Sequence, residues 1–295
     1  MSSLISRGLA IFALGTSVLV AGCGGTSSTA ATPSSAPVDV GTGALQGSGS
    51  SFVKPYIDAA SFQYTGLHSG VTVNYPGGGS SQGIKDFTNK TVDFGCSDVP
   101  MKDTEITAAG GADSLVEIPT ALGTVAVAYN LSGYSGKINL DGGTLASIFL
   151  GKVKKWNDPA IAALNSGASL PSKDIAVQHR SDGSGTTYIF TDYLSTVSPD
   201  WKSGPGKGKA VSWPAGTGAP GNSGVGNAVA NTDGSIGYVE LAYVLQSGGK
   251  VNMAYVKNKD GKFLQASAAG GSAAAAKASG ISPTNFSIVD QAGAD

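Results

Sequence analysis

Apolar and polar positions along this chain follow two recurring patterns, one with the period of a β-strand and one with that of a helix. Strand-like patterns occupy residues 71–75, 91–100, 115–131, 175–180 and 234–241, and a hairpin is predicted from residues 251–256 and 262–266. Helix-like patterns occupy residues 82–90, 141–165 (two helices and a turn), 184–197, 224–232 and an alanine-rich helix end at 272–280. Because strands and helices alternate, the sequence predicts an α/β fold with mixed or parallel sheets.

Three of these segments allow finer predictions. Residues 115–131 are rich in β-branched side chains, which favours buried strands at the centre of a sheet. The helix at 184–197 is expected to turn Ile189, Tyr193 and Leu194 inward, because their spacing places them on one face. Residues 203–224 are rich in glycine and predict a loop.

Glycine and hydroxyl residues precede predicted helices at three places, residues 47–52, 77–83 and 182–187. A helix begins with unpaired backbone N–H groups and a partial positive charge, so three such ends converging near Arg180 would form an anion cradle. Ser and Thr also cap helices in proteins that bind no anion. The residues alone leave both interpretations open.

Composition excludes several functions. The 295 residues carry 19 basic and 20 acidic side chains, a formal net charge of -1, so we expect no nucleic-acid partner. The two histidines, His68 and His179, and the two cysteines, Cys23 and Cys96, form no metal-binding pattern. We therefore expect no metal and no cofactor, and we interpret Cys96 as a buried structural thiol.

The first residues have the pattern of an export signal. Residues 1–22 combine Arg7 with an apolar run too short to span a bilayer comfortably, and small residues precede Cys23. This resembles a bacterial lipoprotein signal in which Cys23 is lipidated; an ordinary secretory signal with an incidental cysteine is the alternative. Residues 23–43 predict a lipidated cysteine and a disordered tether, which would anchor the chain at the outer face of the cytoplasmic membrane.

Two catalytic motifs have partial matches in the chain. The glycines at 78 and 83 have the spacing of a nucleotide-binding loop, but Ile84 stands where the lysine belongs, which argues against nucleotide hydrolysis. Residues 79–83 match G-x-S-x-G with Ser81 as nucleophile, and His179 follows in the chain order of a serine hydrolase. An exported serine hydrolase using Ser81 is therefore the alternative function.

Six segments together carry a more specific combination of motifs. They are GSGSSF (47–52), VNYPGGGSSQGIKDF (73–87), TVDFGCSDVPM (91–101), KWNDPAIAALN (155–165), HRSDGSGTTYIFTDYLS (179–195) and GSIGYVELAY (234–243). In these segments the chain resembles the phosphate-binding proteins of bacterial phosphate-specific ABC transporters. The resemblance implies a non-enzymatic solute-binding protein with inorganic phosphate as ligand and the transporter's permease subunits as partners.

The resemblance also implies a type II periplasmic-binding-protein fold, in which two α/β lobes close like a hinge over one anion. Residues 44–120 would form the first part of lobe I, residues 121–253 lobe II, and residues 254–295 a return to lobe I. The chain stops where relatives of this family continue, so lobe I is expected to be incomplete. A degenerate surface paralogue that binds no phosphate is a third possibility.

The phosphate ligands follow from the resemblance, residue by residue. Asp98 would accept a hydrogen bond from a P–OH group and repel fully deprotonated sulfate, and Asp182 would orient Arg180. The remaining contacts would be donors, with Phe52 contributing its backbone N–H. The full set is Ser51, Phe52, Ser80, Asp98, Arg180, Ser184, Gly185 and Thr186.

Overall fold

The computed structural model describes residues 40–279 and 288–289. The predicted signal peptide, Cys23, all but residues 40–43 of the tether, and the cap Gly280 lie outside the described residues. The strands are β1 (Gly43–Gly49), β2 (Val71–Asn74), β3 (Phe94–Cys96), β4 (Val125–Asn130), β5 (Asn139–Leu140), β6 (Ala176–Arg180), β7 (Thr217–Ala219), β8 (Ser235–Glu240), β9 (Asn252–Met253), β10 (Tyr255–Lys257) and β11 (Phe263–Leu264).

Helices connect most of these strands. They are α1 (Lys54–Leu67), α2 (Ser80–Thr88), α3 (Asp103–Ala108), α4 (Gly142–Phe149), α5 (Pro159–Ala162), α6 (Gly185–Val197), α7 (Pro199–Ser203), α8 (Gly221–Asn231), α9 (Leu241–Leu245) and α10 (Ala268–Lys277), with a 3₁₀ turn at Ala112–Ser114. The alternation of strands and helices confirms the predicted α/β fold class.

The strands form three sheets. The first has the order β2-β1-β3 with every pair parallel, and α2 packs against β1 and β3. The second has the order β7-β6-β8-β4-β9, in which β6 runs parallel to β7 and β8, whereas β4 runs antiparallel to β8 and β9. In the third, β10 lies between β5 and β11. The mixed five-stranded sheet carries most of the core.

Helices cover both faces of the five-stranded sheet. On one face an aromatic cluster contains Phe149, Phe190, Trp201 and Tyr238, each at most 3% exposed. On the other face Val225 and Val229 of α8 pack against small residues of β4 and β8; members of that second cluster include Ala126, Ala128 and Val239. Burial of this apolar surface is the main stabilisation of the fold.

The β-branched segment 115–131 was predicted to hold buried strands, and this prediction was wrong for its first ten residues. Only Val125–Asn130 forms a strand, and Val116 and Ile118 are 76% and 69% exposed. Pro119 cannot donate a ladder hydrogen bond and Gly123 adds no side chain to pack, so strand pairing begins after both.

Two smaller predictions also need correction. The loop predicted for residues 203–224 contains β7 and the start of α8, because its last residues pair in parallel with β6. On α6 the buried stripe includes Phe190 and Leu194, whereas Ile189 and Tyr193 are only half-buried at its edges. Leu194 was assigned to the correct face.

The segments that carry the candidate ligands follow three strands, β1, β3 and β6, each of which pairs in parallel with a neighbour. The chain leaves β1 at Gly49, β3 at Cys96 and β6 at Arg180, and each time enters a loop or helix start rich in polar residues. The carboxyl ends of parallel strands and the amino ends of the following helices face the same way in such a fold. This geometry places the ends of β1 and β3 side by side, and hydrogen bonds from the start of α2 to the residues after β6 complete the candidate site.

Candidate anion-binding site

Arg180 lies at the centre of the site. It ends β6 and is 3% exposed, and its backbone N–H donates to Tyr238 Oη at 3.1 Å. Its guanidinium donates to Asp182 through Nε to Oδ1 at 2.7 Å and through Nη2 to Oδ2 at 2.5 Å. Nη1 reaches Thr186 Oγ1 at 3.3 Å. Such a two-pronged contact fixes the plane of the guanidinium.

Asp182 is held ionised by this contact. Burial opposes ionisation, but the hydrogen bonds and charge of Arg180, together with the Gly221 N–H at 3.0 Å, outweigh burial and lower the pKa of Asp182 below its usual range. Asp182 therefore compensates the charge of Arg180 while leaving Nη1 facing the start of α6.

Ser80 links the loops of the β2-β1-β3 sheet and the five-stranded sheet. It begins α2 and is fully buried, and its Oγ accepts from the backbone N–H of Gly185 at 3.1 Å and of Asp98 at 3.2 Å. Its own hydroxyl points at Asp98 Oδ2, 3.4 Å away. The second residue after β3 and the first residue of α6 thus meet at one hydroxyl group.

Asp98 is the acidic group at the centre of the site. Burial of its carboxylate is the largest influence and raises its pKa from 3.8 to about 6, while hydrogen bonds from Ser50 and Ser80 and the charge of Arg180 act in the opposite direction. A carboxylate with this pKa is ionised at neutral pH and can accept a hydrogen bond from a protonated ligand atom.

The other predicted ligands lie at the same strand and helix ends. Ser51 Oγ accepts from the backbone N–H of Asn222 at 3.0 Å, and Ser184 caps α6 by accepting from Thr187 N–H at 3.0 Å. The backbone N–H of Phe52 donates to Ser50 Oγ at 3.0 Å. The structure thus brings the hydroxyl-rich starts of α2 and α6 and the loop after β1 to one location.

Sequence reasoning missed Asn222, the second residue of α8. It is fully buried, and its Nδ2 donates to both Ser51 Oγ and Thr186 Oγ1 at 3.0 Å. A signal was present, because Gly221, Asn222 and Ser223 repeat the pattern of glycine and small polar residues at a helix start. Tyr238 was also missed, and no local sequence pattern distinguishes it from other strand residues.

The serine-hydrolase alternative lacks its geometry. Ser81 N–H donates to Gly183 O at 2.9 Å, and the His179 ring stacks on Trp213 with its centroid 4.7 Å away. His179 Nδ1 lies 3.0 Å from the carbonyl oxygen of Arg180. Within residues 40–279 no hydrogen bond joins Ser81 to His179, so the base that a nucleophilic serine needs is not in contact with it.

The described residues also bear on thiol chemistry and metal binding. Cys96 is half-buried, and burial raises the pKa of its thiol, which disfavours the reactive thiolate. Among the described residues, no cluster of His, Cys, Asp and Glu has the arrangement of a metal site. In the same part of the chain no helix combines the length and apolarity needed to cross a bilayer.

The arrangement therefore presents many donors and few acceptors. Hydroxyl and backbone N–H groups converge beside one compensated guanidinium, and Asp98 supplies an acceptor. Such a site suits a small oxyanion that keeps a proton.

Comparison with known proteins agrees with this class of site. Residues 27–290 match the family described as the PBP superfamily domain, the periplasmic-binding-protein superfamily. The chain is 44% identical over 246 residues to the phosphate-binding protein PstS of Xylella fastidiosa (strain Temecula1), covering 83% of this chain and 66% of that protein. It is 45% identical over 246 residues to the PstS of Pasteurella multocida, covering 83% and 70%. The chain belongs to the PstS family of phosphate-binding proteins.

Solved structures support the type II periplasmic-binding-protein fold. A putative phosphate ABC transporter substrate-binding protein of Clostridium perfringens, solved with bound phosphate, superposes with a TM-score of 0.58 at 21% identity, covering 76% of this chain and 78% of that chain. A phosphate-binding protein of Stenotrophomonas maltophilia gives a TM-score of 0.54 at 20% identity, covering 73% and 65%. The chain spans about two thirds of the length of its Xylella relative, 66%.

Proposed function

We propose that the chain is a solute-binding protein that captures inorganic phosphate outside the cytoplasmic membrane and delivers it to the permease of an ABC transporter, with no catalytic step. One observation carries this proposal. Buried Arg180, fixed by Asp182, lies among hydroxyl and N–H donors from loops of the β2-β1-β3 sheet and the five-stranded sheet, with Asp98 as acceptor. The relatives named as phosphate-binding proteins support the same ligand.

The donors explain how phosphate is held with little net charge. Asp182 compensates Arg180, so we expect the anion to be stabilised mainly by dipoles, namely the hydroxyl groups of Ser51 and Thr186 and the partial positive charge at the start of α6, where the Gly185 N–H is shared with Ser80 Oγ. A helix amino terminus provides unpaired N–H groups and a partial positive charge for this purpose. Asp98 accepts a hydrogen bond from the P–OH group that phosphate keeps at neutral pH.

Contacts between the segments that follow the β2-β1-β3 sheet and those that follow β6 support a closing motion. We assign residues 44–120 and 121–253 to two lobes; β10, which follows them, pairs with β5 of the second lobe. Ser81 N–H donates to Gly183 O at 2.9 Å, and Lys209 Nζ pairs with Glu105 Oε1 at 3.0 Å. Both contacts join residues on either side of the site, so closure over the anion would form them together.

The proposal is tested by thermal unfolding of the purified chain with different anions. Endogenous ligand is first removed by partial unfolding and dialysis. A ligand that binds only the folded state raises the melting temperature with its concentration, and a concentration of about 100 times Kd adds about 2.7 kcal/mol. Phosphate is added at 1 mM, a concentration chosen to be on the order of 100 times Kd or more. We expect it to raise the melting temperature, and we expect sulfate or nitrate at the same concentration to have no effect. Equal shifts with all three anions would contradict the proposal.

Closure depends on the absence of a side chain at Gly185. A Cβ added there would lie 2.3 Å from Asp98 Oδ2 and 2.5 Å from Ser80 Oγ. Gly185→Ala is therefore expected to separate the two sides of the site and lower phosphate affinity about tenfold to a hundredfold, the cost of moderate overpacking. Isothermal titration measures this effect.

Gly143→Ala is the matched control. Gly143 lies in α4, and the nearest atom to its added Cβ, Asp141 Oδ1, is 3.8 Å away. This substitution should leave phosphate affinity within about twofold and slightly stabilise the helix. Equal affinities for the two alanine variants would show that close approach at Gly185 is not needed.

Membrane attachment through Cys23 is part of the proposal and is tested separately. In a bacterial host that processes lipoproteins, labelled palmitate should be incorporated into the wild-type chain and into Cys96→Ser, but not into Cys23→Ser. The Cys96 variant is the matched control because Cys96 is the other cysteine of the chain. Palmitate incorporation into Cys23→Ser would refute anchoring at Cys23.

A further inference from the structure

Asn222 bridges two of the hydroxyl groups in the site. Its side chain is fully buried, and its Nδ2 donates to Ser51 Oγ and to Thr186 Oγ1, each at 3.0 Å. Its Oδ1 accepts from the backbone N–H of Glu240 at 2.9 Å. Because a backbone N–H can only donate, the amide oxygen must face Glu240 and the NH₂ group must face the hydroxyls. The orientation of the amide is thereby determined.

This orientation decides how the two hydroxyls are used. A hydroxyl has two acceptor lone pairs and one hydrogen to donate. Ser51 Oγ accepts from both the backbone N–H and the Nδ2 of Asn222, each at 3.0 Å. Thr186 Oγ1 accepts from Asn222 Nδ2 at 3.0 Å and from Arg180 Nη1 at 3.3 Å. Both lone pairs are occupied in each case, so each hydroxyl hydrogen is left for a third partner.

We propose that Asn222 is a positioning residue that fixes the hydroxyls of Ser51 and Thr186 as hydrogen-bond donors toward the anion. This inference rests on the proposed function, since it concerns how the same site selects its ligand. Without Asn222 each hydroxyl can rotate and offer a lone pair, which repels an anion oxygen. Asn222 thus contributes to specificity without being required to touch the ligand.

Ser80 shows the same device built from the backbone. Its Oγ accepts from the N–H groups of Asp98 and Gly185 at 3.2 and 3.1 Å, so its hydrogen is the remaining donor, and it points at Asp98 Oδ2, 3.4 Å away. On the α8 side one side-chain amide does what two backbone groups do at Ser80. The repetition supports a role in setting donor polarity rather than in packing alone.

Charged groups surround Asn222 on several elements. Asp182 accepts from Gly221 N–H at 3.0 Å, and Arg180 Nη1 donates to Thr186 Oγ1 at 3.3 Å.

Glu240 and two tyrosines lie on the other side of Asn222. The Glu240 carboxylate caps α9 by accepting from Ala242 N–H at 2.8 Å. Burial raises the pKa of Glu240, and the charge of Asp98 adds to this effect. Tyr243 Oη donates to the carbonyl oxygen of Ser51 at 2.8 Å, and the Tyr238 hydroxyl contacts Arg180 N–H.

The test is Asn222→Asp, which keeps the shape of the side chain but replaces its donor by an acceptor. At pH 8 the ionised carboxylate should draw both hydroxyl hydrogens to itself, so phosphate affinity should fall at least about a hundredfold, equivalent to two lost charge-assisted hydrogen bonds. Burial at this position, close to Asp182 and Glu240, should raise the pKa of the introduced carboxyl group, so that lowering the pH to 5.5 protonates it; it then donates one hydrogen again, and the deficit relative to wild type should shrink about tenfold. Isothermal titration of wild type and variant at both pH values measures this.

Asn227→Asp is the matched control. Asn227 lies on the same helix and is exposed, so the same chemical change there should alter phosphate affinity less than about twofold at either pH. A purely structural role for Asn222 would not involve the hydroxyl groups, so Asn222→Asp would then lose as much affinity at pH 8 in a Ser51→Ala background as in the wild type. That result, or affinity within about threefold of wild type at pH 8, would overturn the proposal.

A double-mutant cycle keeps the proposal testable should Asn222→Asp fail to fold. Asn222→Ala should lower affinity about tenfold in the wild type but only about threefold in Ser51→Ala, because one of the hydroxyls it orients is already gone. Equal losses in both backgrounds would overturn the proposal. If the folded wild type itself shows no phosphate binding, the proposed function fails, which is a separate outcome.

Discussion

Replacing Arg180 by methionine is expected to lower phosphate affinity about a thousandfold. Arg180 is the buried cation of the site, and Nη1 is its nitrogen not occupied by Asp182. Methionine keeps much of the side-chain length but leaves Asp182 as an uncompensated carboxylate next to an incoming anion. Truncating one partner of a buried charge pair costs about 2 to 5 kcal/mol, and each 1.4 kcal/mol is about tenfold in affinity.

The control for this prediction is Lys152→Met. Lys152 pairs with Asp200 at the surface at 2.6 Å, so its loss removes the same charge far from the loops of the site. Isothermal titration of both variants should show near-wild-type affinity for Lys152→Met, since exposed pairs contribute about 1 kcal/mol or less even to stability. A folded Arg180→Met protein that binds phosphate within about tenfold of wild type would mean that another group neutralises the anion.

Asp98→Asn is expected to abolish discrimination between phosphate and sulfate. In the wild type we expect the ionised carboxylate to accept a hydrogen bond from the P–OH group and to repel sulfate, which has no proton to offer; such a device can discriminate about 10⁴-fold. The asparagine amide can donate to sulfate, so the affinity ratio should fall at least about a hundredfold, mostly through a gain in sulfate binding. Competition titrations with both anions at pH 8 measure the ratio.

Wild-type discrimination should itself depend on pH. The pKa of Asp98 is raised to about 6, so above that value the carboxylate is ionised and selective. As the pH falls below about 6 the protonated carboxyl can donate to sulfate, and the ratio should decrease. In Asp98→Asn this decrease should be absent, which separates the titration of Asp98 from that of phosphate.

The same substitution should stabilise the ligand-free protein. The pKa of Asp98 is higher in the folded state, about 6, than its ordinary value of 3.8, so the folded state binds protons more tightly. The ionised carboxylate therefore costs stability above pH 6, and this cost disappears as the pH falls from about 6 to about 4. Asp98→Asn should raise the free energy of unfolding by about 1 to 3 kcal/mol at pH 8 and by little at pH 4. A destabilised variant at pH 8 would contradict the assigned burial of this charge.

Sequence patterns captured the local parts of the site. The starts of α2 and α6 were predicted because glycine and hydroxyl residues at a helix start leave a clear local signature, and the loop after β1 carries the same signature. That these segments meet depends on contacts between loops of two separate sheets, which alternation of strands and helices does not specify. The fold class could be predicted from the order of elements.

Partners that lie far apart in the chain were not predictable in the same way. Asn222 contacts Ser51 across 171 positions, and Tyr238 contacts Arg180 across 58. No local periodicity encodes such pairs. For residues 115–124 a local signal was present but misleading. Their β-branched composition indicates a strand, although Pro119 prevents regular pairing.

The most direct test of phosphate binding is isothermal titration of the purified, ligand-stripped chain with phosphate and then with sulfate at pH 8. We expect phosphate to bind tightly with one site per chain and sulfate to give no binding heat. Cooperative thermal unfolding of the same sample establishes that it is folded. A folded sample that gives no heat with phosphate, or equal heats with both anions, would contradict the assignment of this site to phosphate.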